Sequence, residues 1–226
     1  MECIYCATRP ATTSDHVPPK QVFPRPLPSN LITVPSCDVC NGGFQSDDDY
    51  FGAIMAMRVE IEPHPGGDEV VARLMRGFDR PESRGLVERF IAARTTKSVY
   101  AKDDGRYLGE AEACELETHR IQSTLARIVR GLHYHETGTR LGEHVEVVAD
   151  ISIGEKPDGV TLVRRALTGQ PVQRVGHSFA YVWKSVDSAI SHTAWLLQFY
   201  QRVPFFVMTA DRSVLEARRE LRAREA

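Results

Sequence analysis

The stretch from Cys3 to Phe51, CIYCATRPATTSDHVPPKQVFPRPLPSNLITVPSCDVCNGGFQSDDDYF, decides how this chain is read. Cys3-x2-Cys6 and Cys37-x2-Cys40 are separated by 30 residues, and each pair forms a tight turn offering two thiolates. Together they can complete a tetrahedral all-sulfur shell, so a structural Zn²⁺ on Cys3, Cys6, Cys37 and Cys40 is expected. Four unrelated buried cysteines are the plainer alternative, but the pairing and spacing weigh against it. A redox role fits less well, because neither pair opens an amphipathic helix after a buried strand. The longest apolar run of the segment is Leu31-Ile32-Thr33-Val34, too little for a core, so the segment needs a staple. Pro18, Pro19, Pro24, Pro26 and Pro28 rule out a regular helix between the pairs. A closed four-cysteine shell leaves no open position on the ion, so any chemistry belongs elsewhere.

Between and beside the knuckles stand Ser14-Asp15-His16-Val17-Pro18-Pro19-Lys20, then Ser29-Asn30-Leu31, then Cys37-Asp38-Val39-Cys40-Asn41. In this order they resemble the zinc-knuckle members of the HNH endonuclease family, over residues 3–51. The resemblance implies a ββα-metal site in which two strands carry Asp15-His16 and Asn30 and a helix opens at Asn41. It further implies that Asp15 and Asn41 bind one catalytic Mg²⁺ or Mn²⁺, that His16 is the general base, and that Asn30 steadies the hairpin and the imidazole. The chemistry is consistent: histidine titrates near neutrality, and a carboxylate and an amide oxygen are hard ligands. Adjacent strand residues point to opposite faces, so Asp15 and His16 share a target only where the backbone bends. Each residue also has an ordinary reading. Asp15 could be a turn residue, His16 a surface histidine, Asn30 a turn residue and Asn41 a helix cap.

Two features depart from the family pattern. Pro24-Arg25-Pro26-Leu27-Pro28 stands where many members carry a Gly-Gly turn, and Gly42-Gly43-Phe44-Gln45-Ser46 where many carry a lysine. Asp47-Asp48-Asp49 then puts three negative charges near the expected phosphate site; they either cap a helix near Ser46 or repel nucleic acid. Lys20, Arg25 and Arg58 are the nearby candidates for phosphate contact. Arg120, Arg127 and Arg130 form a second basic stripe or, more simply, a solvated helix face. His133-Tyr134-His135 offers a second metal site or favourable charge at a helix C-terminus. Cys114, His177 and His192 read as core or surface residues.

Outward from this segment, Tyr50–Val59 reads as a helix that ends at Pro63-His64-Pro65-Gly66-Gly67, a linker. Helices are expected over 68–78, 82–94 and 112–134, a hairpin over 98–102 and 106–109, and strands over 144–153, 160–166, 178–184, 193–200 and 204–209. A charged helix follows from 211. The fold class is therefore α+β: a zinc-stapled ββα-metal module over 1–62 and a larger α+β domain over 68–226.

The chain has 226 residues and a formal charge of −2, so a nucleic-acid partner must be held by a local basic patch. No run of about twenty apolar residues is present and the paired cysteines fit a reducing compartment, so a cytoplasmic protein without a membrane partner is expected. The function expected is metal-dependent hydrolysis of phosphodiester bonds, with DNA the favoured substrate and a homodimer the easiest way to cut both strands. A non-catalytic zinc module that recognises nucleic acid or protein is the alternative, and so is a metal enzyme acting on a small molecule.

Overall fold

The computed structural model describes residues 1–101, 103–152 and 158–217. The fold is α+β. Strand β1 (Thr13–Val17) pairs antiparallel with β2 (Ile32–Ser36), and helix α1 (Asp38–Ala56) follows at once. In the hairpin Asp15 lies opposite Val34 and His16 opposite Thr33. Alternation then puts Asp15, Val17, Ile32 and Val34 on the buried face and leaves Thr33 exposed beside a half-buried His16. Cys37 caps α1, its Sγ accepting the Cys40 N–H at 3.5 Å, so the helix opens at Asp38, ahead of the expected Asn41. Its first half is polar and its second half, Tyr50–Ala56, is buried.

The Pro63–Gly67 turn is packed rather than a free linker. His64 is buried, with Nε2 3.0 Å from Ser178 Oγ, and a Cβ on Gly67 would lie 2.1 Å from the Ile61 carbonyl oxygen. Helices α2 (Gly67–Phe78) and α3 (Arg84–Ala92) lead into a largely exposed hairpin of β3 (Arg94–Tyr100) and β4 (Tyr107–Cys114). The helix expected over 112–134 therefore starts later, as α4 (Thr118–Thr137). The strand expected over 106–109 instead runs on to Cys114, because Glu110 and Glu112, helix formers by propensity, pair across to Ser98 and Thr96. Gly138, at φ +68°, ends α4 in the left-handed region.

A five-stranded antiparallel sheet completes the fold, in the order β5 (Val145–Asp150), β9 (Val203–Asp211), β8 (Thr193–Phe199), β7 (Phe179–Ser185), β6 (Gln173–Val175). The stretch 160–166, expected as a strand, is helix α5 (Gly159–Ala166). Its β-branched composition is overridden by burial at Gly159, Val163 and Leu167, a helical spacing that packs on Leu196 behind the sheet. Residue 153 of the expected strand 144–153 lies outside the described residues, and of the charged helix expected from 211, residues 212–217 are helical and 218–226 lie outside them. The front of the sheet, through Trp195, Leu197, Phe199 and Val207, shares one buried core with Phe51 and Met55 of α1 and Leu125, Ile128 and Leu132 of α4. Fully burying side chains of this size stabilises by roughly 1.5–3 kcal/mol each, which is what fixes α1 and α4 against the sheet.

Candidate functional site

Two groups of polar side chains meet where the hairpin, α1 and α4 converge. The first is the cysteine cluster. A turn with Ala7 at φ +52° and the Cys3 N–H bonded to the Arg9 carbonyl brings Cys3 and Cys6 onto one side. The first turn of α1 brings Cys37 and Cys40 to meet them. All four Sγ atoms lie within 4.8 Å of one another, and none is in a disulfide. Bonds of about 2.3 Å to a tetrahedral ion would set the sulfurs about 3.8 Å apart, so the four residues fit a metal ion. Left to themselves the thiols conflict: hydrogen bonds from Thr8 pull Cys6 down to about 5, while burial and the neighbouring cysteines push Cys40 up. A cation shared by all four removes that conflict. Cys114, at the end of β4, lies outside the cluster.

The second group surrounds Asp15. Its position on the buried face of β1 leaves it 4% exposed. Its Oδ2 accepts the Tyr5 hydroxyl at 2.6 Å and Arg127 Nη1, from α4, also at 2.6 Å. The other arm of the Arg127 guanidinium meets Asp48 of α1, and its Cζ lies 4.7 Å over the Phe44 ring. Burial, with the charge of Asp15 and against that of Arg127, pushes Asp48 up to about 7. Burial would lower Arg127, but Asp15 and Asp48 outweigh it and hold the guanidinium above its ordinary value. One turn further along α4, a Cβ on Gly131 would lie 2.5 Å from Val17 Cγ2, so only glycine lets the helix come this close to β1.

This geometry does not suit the divalent ion expected on Asp15 and Asn41. Asp15 is already neutralised in a buried pair, and the Asn41 amide nitrogen donates to Thr13 Oγ1 at 3.2 Å, pinning α1 to the hairpin. Asn30 precedes β2 instead of lying in it. Its Nδ2 donates to the Arg174 carbonyl at 2.7 Å and its Oδ1 accepts the Gly176 N–H at 3.1 Å, so it clamps the hairpin to β6 and does not steady the imidazole. Arg58 is held by Glu60 at 3.1 and 2.8 Å, which leaves it a poor phosphate contact.

His16 is different. It is half-buried on the open face of β1, with no hydrogen bond among the described residues, and the side chains of Lys20 and Arg25 are exposed. Burial first, then the charge of Lys20 and, against the opposing charge of Asp15, that of Arg25, hold its pKa below the ordinary 6.5, so the neutral ring predominates at pH 7. The structure thus leaves His16 within electrostatic reach of Lys20 and Arg25 while Asp15, whose charge His16 also feels, points to the buried face of the strand.

The arginines of α4, for which the sequence allows a basic stripe or a solvated face, form neither. Arg120 is 5% exposed and bonds Asp47, the Ser46 carbonyl and Ser46 Oγ; Arg130 bonds the Leu141 and Val145 carbonyls. Asp47, Asp48 and Asp49 bind Arg120, Arg127 and Gln21 in turn, so the acidic run holds α1 in place instead of repelling a ligand. The one signal for this pairing was two arginines seven residues apart facing a run of aspartates. His133 has both ring nitrogens 2.9 Å from carbonyl oxygens, those of Thr139 and Ile190, so backbone groups occupy the places a metal would take, and His192 pairs with Asp187 at 2.7 Å. No protein-family model, curated protein or solved structure matches the chain.

Proposed function

We propose that this chain is a nucleic-acid-binding protein built on a zinc-stapled ββα scaffold of the HNH type, and that it contacts the phosphodiester backbone along the open face of β1 through His16, Lys20 and Arg25. The observation that carries this reading is the division of the Asp-His pair: Asp15 is consumed in a buried ion pair, while His16 stays accessible beside two cations without partners among the described residues. An anion is the ligand that satisfies such a patch, and phosphate contacts position a nucleic acid without reading its sequence. The ion of the cysteine cluster is taken as zinc, the usual occupant of a closed all-sulfur tetrahedron. No described helix is long and apolar enough to cross a membrane, and a cytoplasmic location is part of the same proposal.

The test is fluorescence anisotropy with labelled single- and double-stranded DNA across a salt series. Lys20→Ala and Arg25→Ala should each weaken binding and lower the salt slope by about 0.9 on duplex. Unchanged affinity and slope in both variants would sink the reading.

A second reading, phosphodiester hydrolysis with His16 as general base, is favoured by one observation: the imidazole is accessible and neutral at pH 7. In it the ring takes a proton from water. Cleavage of supercoiled plasmid with Mg²⁺, Mn²⁺ or EDTA, by wild type and His16→Ala, decides between them. Nicking that disappears in the folded variant makes the protein a nuclease; an inert wild type that still binds DNA leaves recognition as its role.

A further inference from the structure

We infer that Arg127 is the resident cation of the ββα centre, standing where a divalent ion would have to sit, so that this scaffold takes one metal ion in the cysteine cluster and none at Asp15. The guanidinium is only 6% exposed and reaches strands and helices that are distant in sequence: Asp15 Oδ2 at 2.6 Å on β1, and Asp48 on α1. Phe44 covers its face and the Tyr5 hydroxyl holds the same carboxylate oxygen. Asp15 and Asp48 supply the carboxylate oxygens that a hard cation needs, and a divalent ion on Asp15 would meet a fixed positive charge within hydrogen-bond reach of that carboxylate. It would also need the waters that Mg²⁺ and Mn²⁺ retain, in a place where Asp15 is 4% exposed. Gly131 is part of the device, since its missing Cβ lets α4 bring Arg127 against β1.

The arginine does what the ion would do structurally: it joins strand and helix through their carboxylates. It cannot do what an ion would do chemically, because a guanidinium has no exchangeable ligand position for water or phosphate. Removing it leaves two carboxylates at 5% and 13% side-chain exposure facing an empty space between them, which is a demand for a cation.

The experiment is Mn²⁺ titration of the zinc-loaded full chain, followed by electron paramagnetic resonance of free Mn²⁺, with no nucleic acid present. Wild type and Arg127→Lys should take up no Mn²⁺ at Asp15. Arg127→Met should bind one Mn²⁺ under conditions where wild type binds none, and adding Asp15→Asn should abolish that uptake. Mn²⁺ uptake by wild type that Asp15→Asn removes would overturn the inference, as would a folded, zinc-loaded Arg127→Met that binds none. Should Arg127→Met not fold, Mn²⁺-induced broadening in the wild-type NMR spectrum serves instead: unbroadened Tyr5 and Asp15 signals support the inference, and their selective loss refutes it. Because the titration contains no DNA, its failure and a failure of the binding reading are separate results.

Discussion

Replacing Gly131 by alanine sets two effects of known size against each other. Alanine in a helix interior is worth about 0.8–1.0 kcal/mol over glycine, so propensity alone predicts stabilisation. Against that, the new Cβ would lie 2.5 Å from Val17 Cγ2, 3.1 Å from Val17 Cγ1 and 3.4 Å from the Tyr5 hydroxyl. Carbon atoms pack at about 3.5–4.0 Å, so α4 and β1 must separate by roughly 1 Å. Val17 is 1% exposed and β-branched, so it cannot rotate away cheaply. Overpacking of this kind costs about 1–3 kcal/mol, which after the propensity gain leaves a net loss of up to about 2 kcal/mol for Gly131→Ala. Gly43→Ala in α1 is the control, because nothing lies within 4 Å of its Cβ position and propensity acts alone, giving a gain of about 1 kcal/mol. Urea midpoints at unchanged m-value read both. The two substitutions should move the midpoint in opposite directions, and Val17→Ala should relieve the first in a double-mutant cycle. If Gly131→Ala stabilised the protein as Gly43→Ala does, the close approach that seats Arg127 on Asp15 would be wrong.

Asp48 gives a pH test. Its folded pKa, about 7, lies above the ordinary 3.8, so the native state binds the extra proton between these values. The stability this contributes is fully present below about 3.8 and is lost as pH rises through about 7; thermal midpoints of Asp48→Asn relative to wild type should therefore rise across that window. His16 shifts the other way: its imidazole ¹³C or ¹H resonances should titrate with a midpoint below 6.5, and a midpoint above it would mean that the charge of Asp15 outweighs burial and the charges of Lys20 and Arg25. Tyr200→Phe removes the donor to the Val22 carbonyl at 2.9 Å in a buried place and should cost about 1–3 kcal/mol in a urea melt. Cys40→Ser should abolish stoichiometric zinc in elemental analysis and lower the thermal midpoint, because the staple holds a segment with little core of its own.

Much of this architecture was legible because it rests on local rules. Paired cysteines at turn spacing announce their cluster, runs of aromatic and β-branched residues mark β7, β8 and β9, and Gly138 stands at the end of α4. Where β-branched residues met a helical spacing, as in α5, composition misled and the burial of Val163 and Leu167 decided. In β4 the cross-strand partners of Glu110 and Glu112 overrode their preference. The sequence showed which residues lie near the hairpin and not what each of them bonds to. Asp15, His16, Asn30 and Asn41 are all near the hairpin, but what each does is set by residues far along the chain: Arg127 for Asp15, Arg174 and Gly176 for Asn30. A single sequence carries no record of which charges meet across such distances.

That separation also sets a schedule for the growing chain. Asp15 emerges from the ribosome 112 residues before the arginine that neutralises it. At about 5–20 residues per second, the interval is on the order of ten seconds. During it the cysteine knuckle can already close, while the carboxylate beneath it stays in water. The buried face of β1 is thus committed only when α4 arrives, and the first half of this protein waits, unfinished, for the second.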